Sequence, residues 1–302
     1  MNIEIPEIIS RYEDYLTVIQ EKASSTVYSY KVDIMLFIDY LKTKDKYQGL
    51  EVDTKFIQLI ELKDLYEFLA YVKRMRKNNS FTRSRKIAAL KSFFNYCETK
   101  IKIITYNPSK ELETPKKPSK QINYLTLEES EVLLSSVGGR NSERDFCIIT
   151  LFLNCGLRLS ELSNIKTLDI REDILVVRGK GDKDRTVYLN EKCLESIHTH
   201  LEVRQNSKNE FLFTSERKNQ LSKRQIQTIV KKCISNANLD TQKYTTHKLR
   251  HTAATLLYKH ANVDIRTIQK ILGHKSIGTT QIYTHVDDEQ LRMAVKSNPL
   301  NR

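Results

Sequence analysis

DILVVRGKGDKDRTVYL (Asp173–Leu189) is where the pattern of this 302-residue chain changes. The β-branched runs Asp173–Arg178 and Arg185–Leu189 flank the polar segment GKGDKD, and together they read as a β-hairpin with a basic tip. On either side the apolar residues return to helical spacing. Upstream, Thr126 followed by Glu129 is a capping-box pattern that opens a helix at Leu127, and further helices are expected over 143–155 and 160–164. Downstream, helices are expected over 191–205, 222–237, 246–260, 264–271 and 276–282. The expected fold class is mainly α, with a small β-hairpin in the carboxy-terminal half.

The amino-terminal half shows helical periodicity alone. Ser24 or Ser25 can cap a helix whose stripe is Val27, Tyr30, Ile34, Phe37, Ile38 and Leu41. A second helix runs from Glu61 to Arg76, with Leu62, Leu65, Phe68, Leu69 and Val72 as its apolar face. Ser80 can cap a third, with Ile87, Leu90, Phe94 and Cys97 inward and most of Arg83, Arg85, Lys86 and Lys91 outward. Between the halves, NPSKELETPKKPSKQ (Asn107–Gln121) holds three of the five prolines. Proline neither continues a helix nor donates to a sheet, so an extended basic linker is expected there. It divides a helical domain, 1–106, from a second domain, 122–302.

Lys+Arg 50 against Asp+Glu 37 gives a net charge of +13. Residues 1–72 carry 8 basic and 13 acidic side chains, whereas residues 73–120 carry 14 and 3. Most of the basic excess therefore falls in one segment. That predicts phosphate contact by Arg83, Arg85, Lys86 and Lys91, and by Lys116 and Lys117 in the linker, with Lys183 at the hairpin tip. Charge alone does not choose among DNA, RNA and an anionic membrane. No apolar run approaches the roughly 18 residues of a membrane span, and the acidic start MNIEIPEIIS does not resemble a secretory leader. No RNP-type aromatic motif points to RNA. Cys97, Cys147, Cys155, Cys193 and Cys233 form no CxxC pair and read as buried thiols of a reducing, cytoplasmic compartment.

Six polar residues suggest the chemistry. Arg158 lies in CGLRLSEL directly before a helix, and Lys180 lies in the hairpin turn. His247 and Arg250, in THKLRH, are three apart and share a helix face. His274 follows Leu272-Gly273, and Tyr283 lies nine residues later in TTQIYTH. Two arginines, a lysine, two histidines and a tyrosine, with no carboxylate cluster, suit reaction at a phosphodiester. Guanidinium groups clamp the extra charge of a pentacoordinate phosphorane bidentately. A tyrosine hydroxyl can attack phosphorus and conserve the bond energy as a phosphotyrosyl ester. A Lys or His can then protonate the leaving 5′-oxygen.

In this order, Arg158, Lys180, His247-x-x-Arg250, His274 and Tyr283 resemble the tyrosine recombinase (phage integrase) family. The likeness covers nearly the whole chain and is greatest to Xer recombinases, through GLRLSEL, GKGDKDR, HKLRHTAATLL and ILGHKSIGTTQIYTHV. The resemblance implies a two-domain, C-shaped DNA clamp: a helical, SAM-like core-binding domain (1–106), a linker (107–121) and a catalytic domain (122–302) whose end, about 286–302, is exchanged between protomers. It implies Tyr283 as nucleophile, Arg158 and Arg250 on the scissile phosphate, and Lys180 as general acid. His247 would assist proton transfer, and His274 would hydrogen-bond the phosphate. It further implies a double-stranded DNA recombination site and a tetramer on two duplexes that exchanges strands through a Holliday junction. No metal or nucleotide cofactor is implied. Dimer resolution, integration or excision, and inversion stay open as tasks, as does the need for a paralogous recombinase or accessory protein.

Departures from the family pattern are small. Asn154-Cys155 stands where Tyr-Thr or Tyr-Ala is common, and Asn262 stands where Gly often ends a helix. His247 and His251 have i, i+4 spacing, which suits zinc, but Arg250 between them would repel a divalent cation. His251 reads as structural, and Glu161 as the partner of an arginine or of a helix start. Two rival classes are a type IB topoisomerase, which uses a similar residue set, and a non-catalytic DNA-binding relative, which would be expected to lose Tyr283 or an arginine.

Overall fold

The structure, a computed structural model, describes residues 5–115, 123–178, 184–204, 209–261 and 263–273. The chain separates into two compact units, Met1–Ser119 and Lys120–Arg302.

The first unit is helical. It contains α1 (Glu7–Asp14), a π-helical turn (Tyr15–Ile19), α2 (Ser24–Leu41), α3 (Thr54–Gln58), α4 (Leu62–Arg74) and α5 (Ser80–Thr99). The expected stripes form the core: Ile34, Phe37, Ile38 and Leu41 of α2 meet Leu65, Phe68 and Val72 of α4 and Ile87, Leu90, Phe94 and Cys97 of α5. The cap of α5 is Asn79, whose side chain accepts from the Thr82 amide, and not Ser80. Asn at this position satisfies one of the orphan amides as serine would.

The stretch from Asn107 is not extended throughout. Asn107 is buried, and its Oδ1 accepts from both the amide and the hydroxyl of Ser109. Leu112 enters the amino-terminal core. An Asx-type turn and one apolar anchor thus override the proline signal up to that point. Lys116 and Lys117 lie outside the described residues.

The second unit contains α6 (Leu127–Ser135), α7 (Ser142–Cys155), α8 (Leu159–Ser163), β1 (Ile170–Arg171), β2 (Ile174–Arg178), β3 (Asp184–Tyr188), α9 (Glu191–Arg204), α10 (Lys223–Asn236), α11 (Thr246–His260) and α12 (Ile265–Leu272). Helix α7 is its hub, packed by α6, α9, α10 and α11. Residues 147–153 are all buried, as expected of a helix that is apolar all round. The Thr126–Glu129 capping box is formed. The hairpin belongs to a three-stranded antiparallel sheet, β1-β2-β3. Its first strand, only two residues long, gives too little alternation to be read from sequence. In the β2–β3 register Leu175 pairs with Val187 and Val177 with Arg185, so Arg185 shares the inner face with Val187. The hairpin tip, with Lys180 and Lys183, lies outside the described residues, as do the expected helix 276–282, Asn262, His274, Tyr283 and the segment 286–302.

All five cysteines are free and buried. Among the described residues, no helix is long and apolar enough to cross a membrane, and no cluster of His, Cys, Asp and Glu could hold a metal ion.

Candidate active site

The site is built where three chain turns meet. Helix α7 ends at Gly156, whose left-handed backbone (φ +56°) reverses the chain into Leu157 and Arg158. Arg158 then caps α8, and Glu161 one turn later accepts from its backbone N–H at 2.7 Å and from its Nη1 at 2.6 Å. Glu161 thus holds both an arginine and a helix start. Helix α11 begins at Thr246 and carries His247 and Arg250 on one face toward the same place. Helix α12 ends there at Gly273, again left-handed at φ +63°.

Arg158, His247 and Arg250 converge on one cleft of about 460 Å³, with Leu157, Leu159, Ser160, Lys223 and Thr246 completing its walls. Arg158 is the more open arginine, its side chain 36% exposed, against 4% for Arg250. Arg250 donates to the carbonyls of Gly156 and Leu272, both at 2.6 Å. Arg158 Nη2 donates to the Gly273 carbonyl at 2.7 Å. Lys223, at the start of α10, is a cleft cation that the spacing argument missed, because its position in LSKRQ carries no distinguishing signal.

Arg185 is a second omission. From β3 it forks onto Glu161 (Nη2–Oε2 2.9 Å, Nε–Oε1 3.4 Å) and donates Nη1 to the Ile271 carbonyl. Alternation along β3 places Arg185 inward with Val187, which is the signal that could have found it. Three arginines thus take the three successive carbonyls of residues 271–273, at the negative end of the α12 dipole.

The electrostatics follow from these contacts. Burial alone would raise the pKa of Glu161, but Arg185 first and then Arg158 outweigh it, so the carboxyl lies below its ordinary range and stays ionised. His247 sits at the cleft mouth. Desolvation against the wall, then the positive charges of Arg250, Lys248 and Arg158, lower its imidazole pKa. At neutral pH it is uncharged and can accept a proton. The His247 and His251 rings meet edge to face at 4.5 Å.

The expected phosphate-contacting face of α5 needs correction. Lys86 is buried, 5% exposed, with its Nζ 2.6 Å from the Asp33 carboxylate. Arg85 is paired with the same carboxylate at 2.6 Å, and Arg83 donates to the Asn78 carbonyl. Asp33 is itself fully buried on α2, so its negative charge draws the Lys86 ammonium inward in place of solvent. Lys91 is half-buried.

Residues 123–290 match the Phage integrase family, and residues 9–100 match its N-terminal SAM-like domain. Tyrosine recombinase XerC of Caldanaerobacter subterraneus subsp. tengcongensis is 47% identical, over 99% of this chain and 89% of its own length. Among solved structures, XerA recombinase is 28% identical with a TM-score of 0.53, covering 98% of this chain and 99% of that one. XerH site-specific recombinase bound to palindromic difH substrate shares the fold at a TM-score of 0.75 and 24% identity, covering 96% and 84%. With family matches in both halves and a near full-length relative of this identity, the chain belongs to the phage integrase family of tyrosine site-specific recombinases.

Proposed function

We propose that this recombinase cuts and rejoins duplex DNA at a specific site through a 3′-phosphotyrosyl intermediate on Tyr283. The observation that carries the reading is the convergence of Arg158, His247 and Arg250 on one cleft. The two guanidiniums neutralise the non-bridging oxygens of the phosphorane. His247, held neutral, takes the proton as the Tyr283 oxygen bonds to phosphorus. Lys180 protonates the departing 5′-oxygen, and His274 donates to the phosphate. Attack by the 5′-hydroxyl of a partner strand reverses the step and frees the tyrosine, so no nucleotide energy is consumed. Two such exchanges, one strand pair at a time, pass through a Holliday junction and require four active sites on two duplexes. The helical unit holds the DNA from one side, with Lys91 and the linker residues Lys116 and Lys117 against the backbone. Lys183 adds a contact from the hairpin. The protein works in the cytoplasm, on the nucleoid.

The test is a covalent trap. Tagged protein and its Tyr283→Phe variant are expressed in the native host, lysates are denatured in detergent, and DNA still attached is sequenced. A single enriched site that depends on Tyr283 is the expected result. Dispersed Tyr283-dependent attachment would mark a topoisomerase, and attachment independent of Tyr283 would overturn the assignment of the nucleophile.

A further inference from the structure

The geometry points to Arg185 as a positioning residue that gives Glu161 its own counterion and so keeps the charges of Arg158 and Arg250 available to the DNA phosphate. This rests on the reading of Arg158 and Arg250 as the phosphate clamp.

Glu161 is needed where it is, because it caps α8 and aims Arg158, yet its side chain is 1% exposed. A buried carboxylate takes the full charge of whatever cation is nearest. Were Arg158 its only close partner, at 2.6 Å, the guanidinium meant for the phosphate would be neutralised before DNA arrived. Arg250, 3.8 Å away, would be drawn on next. Arg185 prevents this. Its planar fork covers both carboxylate oxygens. Three guanidiniums and one carboxylate leave two positive charges for the phosphate, beside the cleft cation Lys223.

Arg185 acts from outside the cleft, through Glu161. It is absent from the cleft wall, and its side chain is 13% exposed. Its remaining donor goes to the Ile271 carbonyl, beside the Leu272 and Gly273 carbonyls held by Arg250 and Arg158. Electrostatic and mechanical roles can therefore be separated. A glutamine at 185 keeps a donor for the carbonyl and loses the charge.

The experiment uses full-length protein and a duplex bearing the site recovered by Tyr283-dependent trapping, nicked beside the scissile phosphate so that cleavage is irreversible. Covalent-complex formation is timed at saturating DNA, equilibrium binding is measured in parallel, and each variant is melted. Arg185→Gln is expected to slow cleavage about 100-fold with binding within about threefold of wild type, since only a transition-state charge is lost. Arg185→Lys, which restores the charge without the fork, should recover about tenfold of that loss. The decisive variant adds Glu161→Gln to Arg185→Gln: removing the orphaned carboxylate should restore cleavage by about tenfold or more, which a purely structural role does not predict.

An Arg185→Gln protein that cleaves like wild type, or a double variant that is no faster than the single one, overturns the proposal. If Arg185→Gln does not fold, the neutral pair carries the test, since it removes the buried carboxylate together with its counterion. It should cleave within about tenfold of wild type, and a pair that melts normally but fails to cleave overturns the proposal. Arg158→Ala, run alongside, separates the two readings. Wild-type cleavage by that variant overturns the clamp itself. An inactive Arg158→Ala beside a fully active Arg185→Gln overturns only the role of Arg185.

Discussion

Replacing Gly156 by alanine should damage the site without removing a charged group. The residue adopts φ +56°, a left-handed conformation that costs a non-glycine residue about 1–2 kcal/mol. A methyl group there would lie 2.7 Å from Leu272 Cδ2 and 3.5 Å from Ala253 Cβ. Leu272 is fully buried, so overpacking adds about 1–3 kcal/mol. Together these amount to about 2–5 kcal/mol, out of the 5–15 kcal/mol typical of a whole domain. For a unit of this size, 3 kcal/mol lowers Tm by about 6–12 °C. Thermal unfolding of Gly156→Ala, Leu272→Ala and the double variant measures this directly. Leu272→Ala alone should cost about 2–5 kcal/mol, and the double variant should fall short of additivity by about 1–3 kcal/mol because the clash is gone. A Gly156→Ala protein that melts with wild type would refute the backbone strain and the clash together, and simple additivity of the two changes would refute the clash.

Three other outcomes follow from the same contacts. Arg158→Ala should reduce the rate of Tyr283-dependent covalent attachment about 10²- to 10³-fold, read on denaturing gels, as for the loss of one oxyanion donor. Lys86→Ala should destabilise the amino-terminal unit by about 3 kcal/mol, by leaving buried Asp33 short of a cation, while the slope of DNA affinity against salt stays as it was. The third concerns His200, buried against Phe213 with Nε2 at 3.0 Å from the Leu212 carbonyl. Desolvation chiefly, helped by Arg204 and Arg144, lowers its pKa in the folded state. The unfolded chain then takes up a proton that the folded chain refuses. Stability is full above the unfolded value of about 6.5 and falls below it by up to about 1.4 kcal/mol per pH unit. Denaturant titrations from pH 7.5 to 5 should show that slope, and His200→Phe should reduce it, leaving the share contributed by His247.

The helices were legible because their apolar residues recur at helical spacing, and α2, α4 and α5 bury the stripes expected of them. Arg158, His247 and Arg250 were legible as a set, although they are spread over nearly a hundred residues, because each sits in its own recognisable local motif. What escaped reading depends on the sign of a buried charge. Lys86 lies four residues before Leu90 and seven before Phe93, so helical arithmetic puts it on the inner face. Its partner is 53 positions away on α2, and nothing local reveals that pairing. Arg185 is the same case in a strand. Alternation turns it inward, but only the folded chain shows Glu161 and the end of α12 waiting there. A basic residue on an apolar face is a sign that a distant acid lies opposite.

The carbonyls of residues 271–273, each held by an arginine, give the following chain a fixed origin. From Gly273 to the proposed nucleophile Tyr283 there are ten peptide units, which span at most about 35 Å when fully extended. The tyrosine is therefore leashed to these cations, whatever path the intervening residues take. A hydroxyl confined to a sphere of that radius has an effective concentration of about 10 mM, supplied by connectivity alone. In the proposed reaction the point where the phosphate is gripped is also the point from which the attacking group is paid out. In the proposed reaction the length of this tether sets which scissile phosphates each tyrosine can reach, so inserting or deleting residues between 276 and 282 is expected to change reach while the arginine contacts to residues 271–273 are kept.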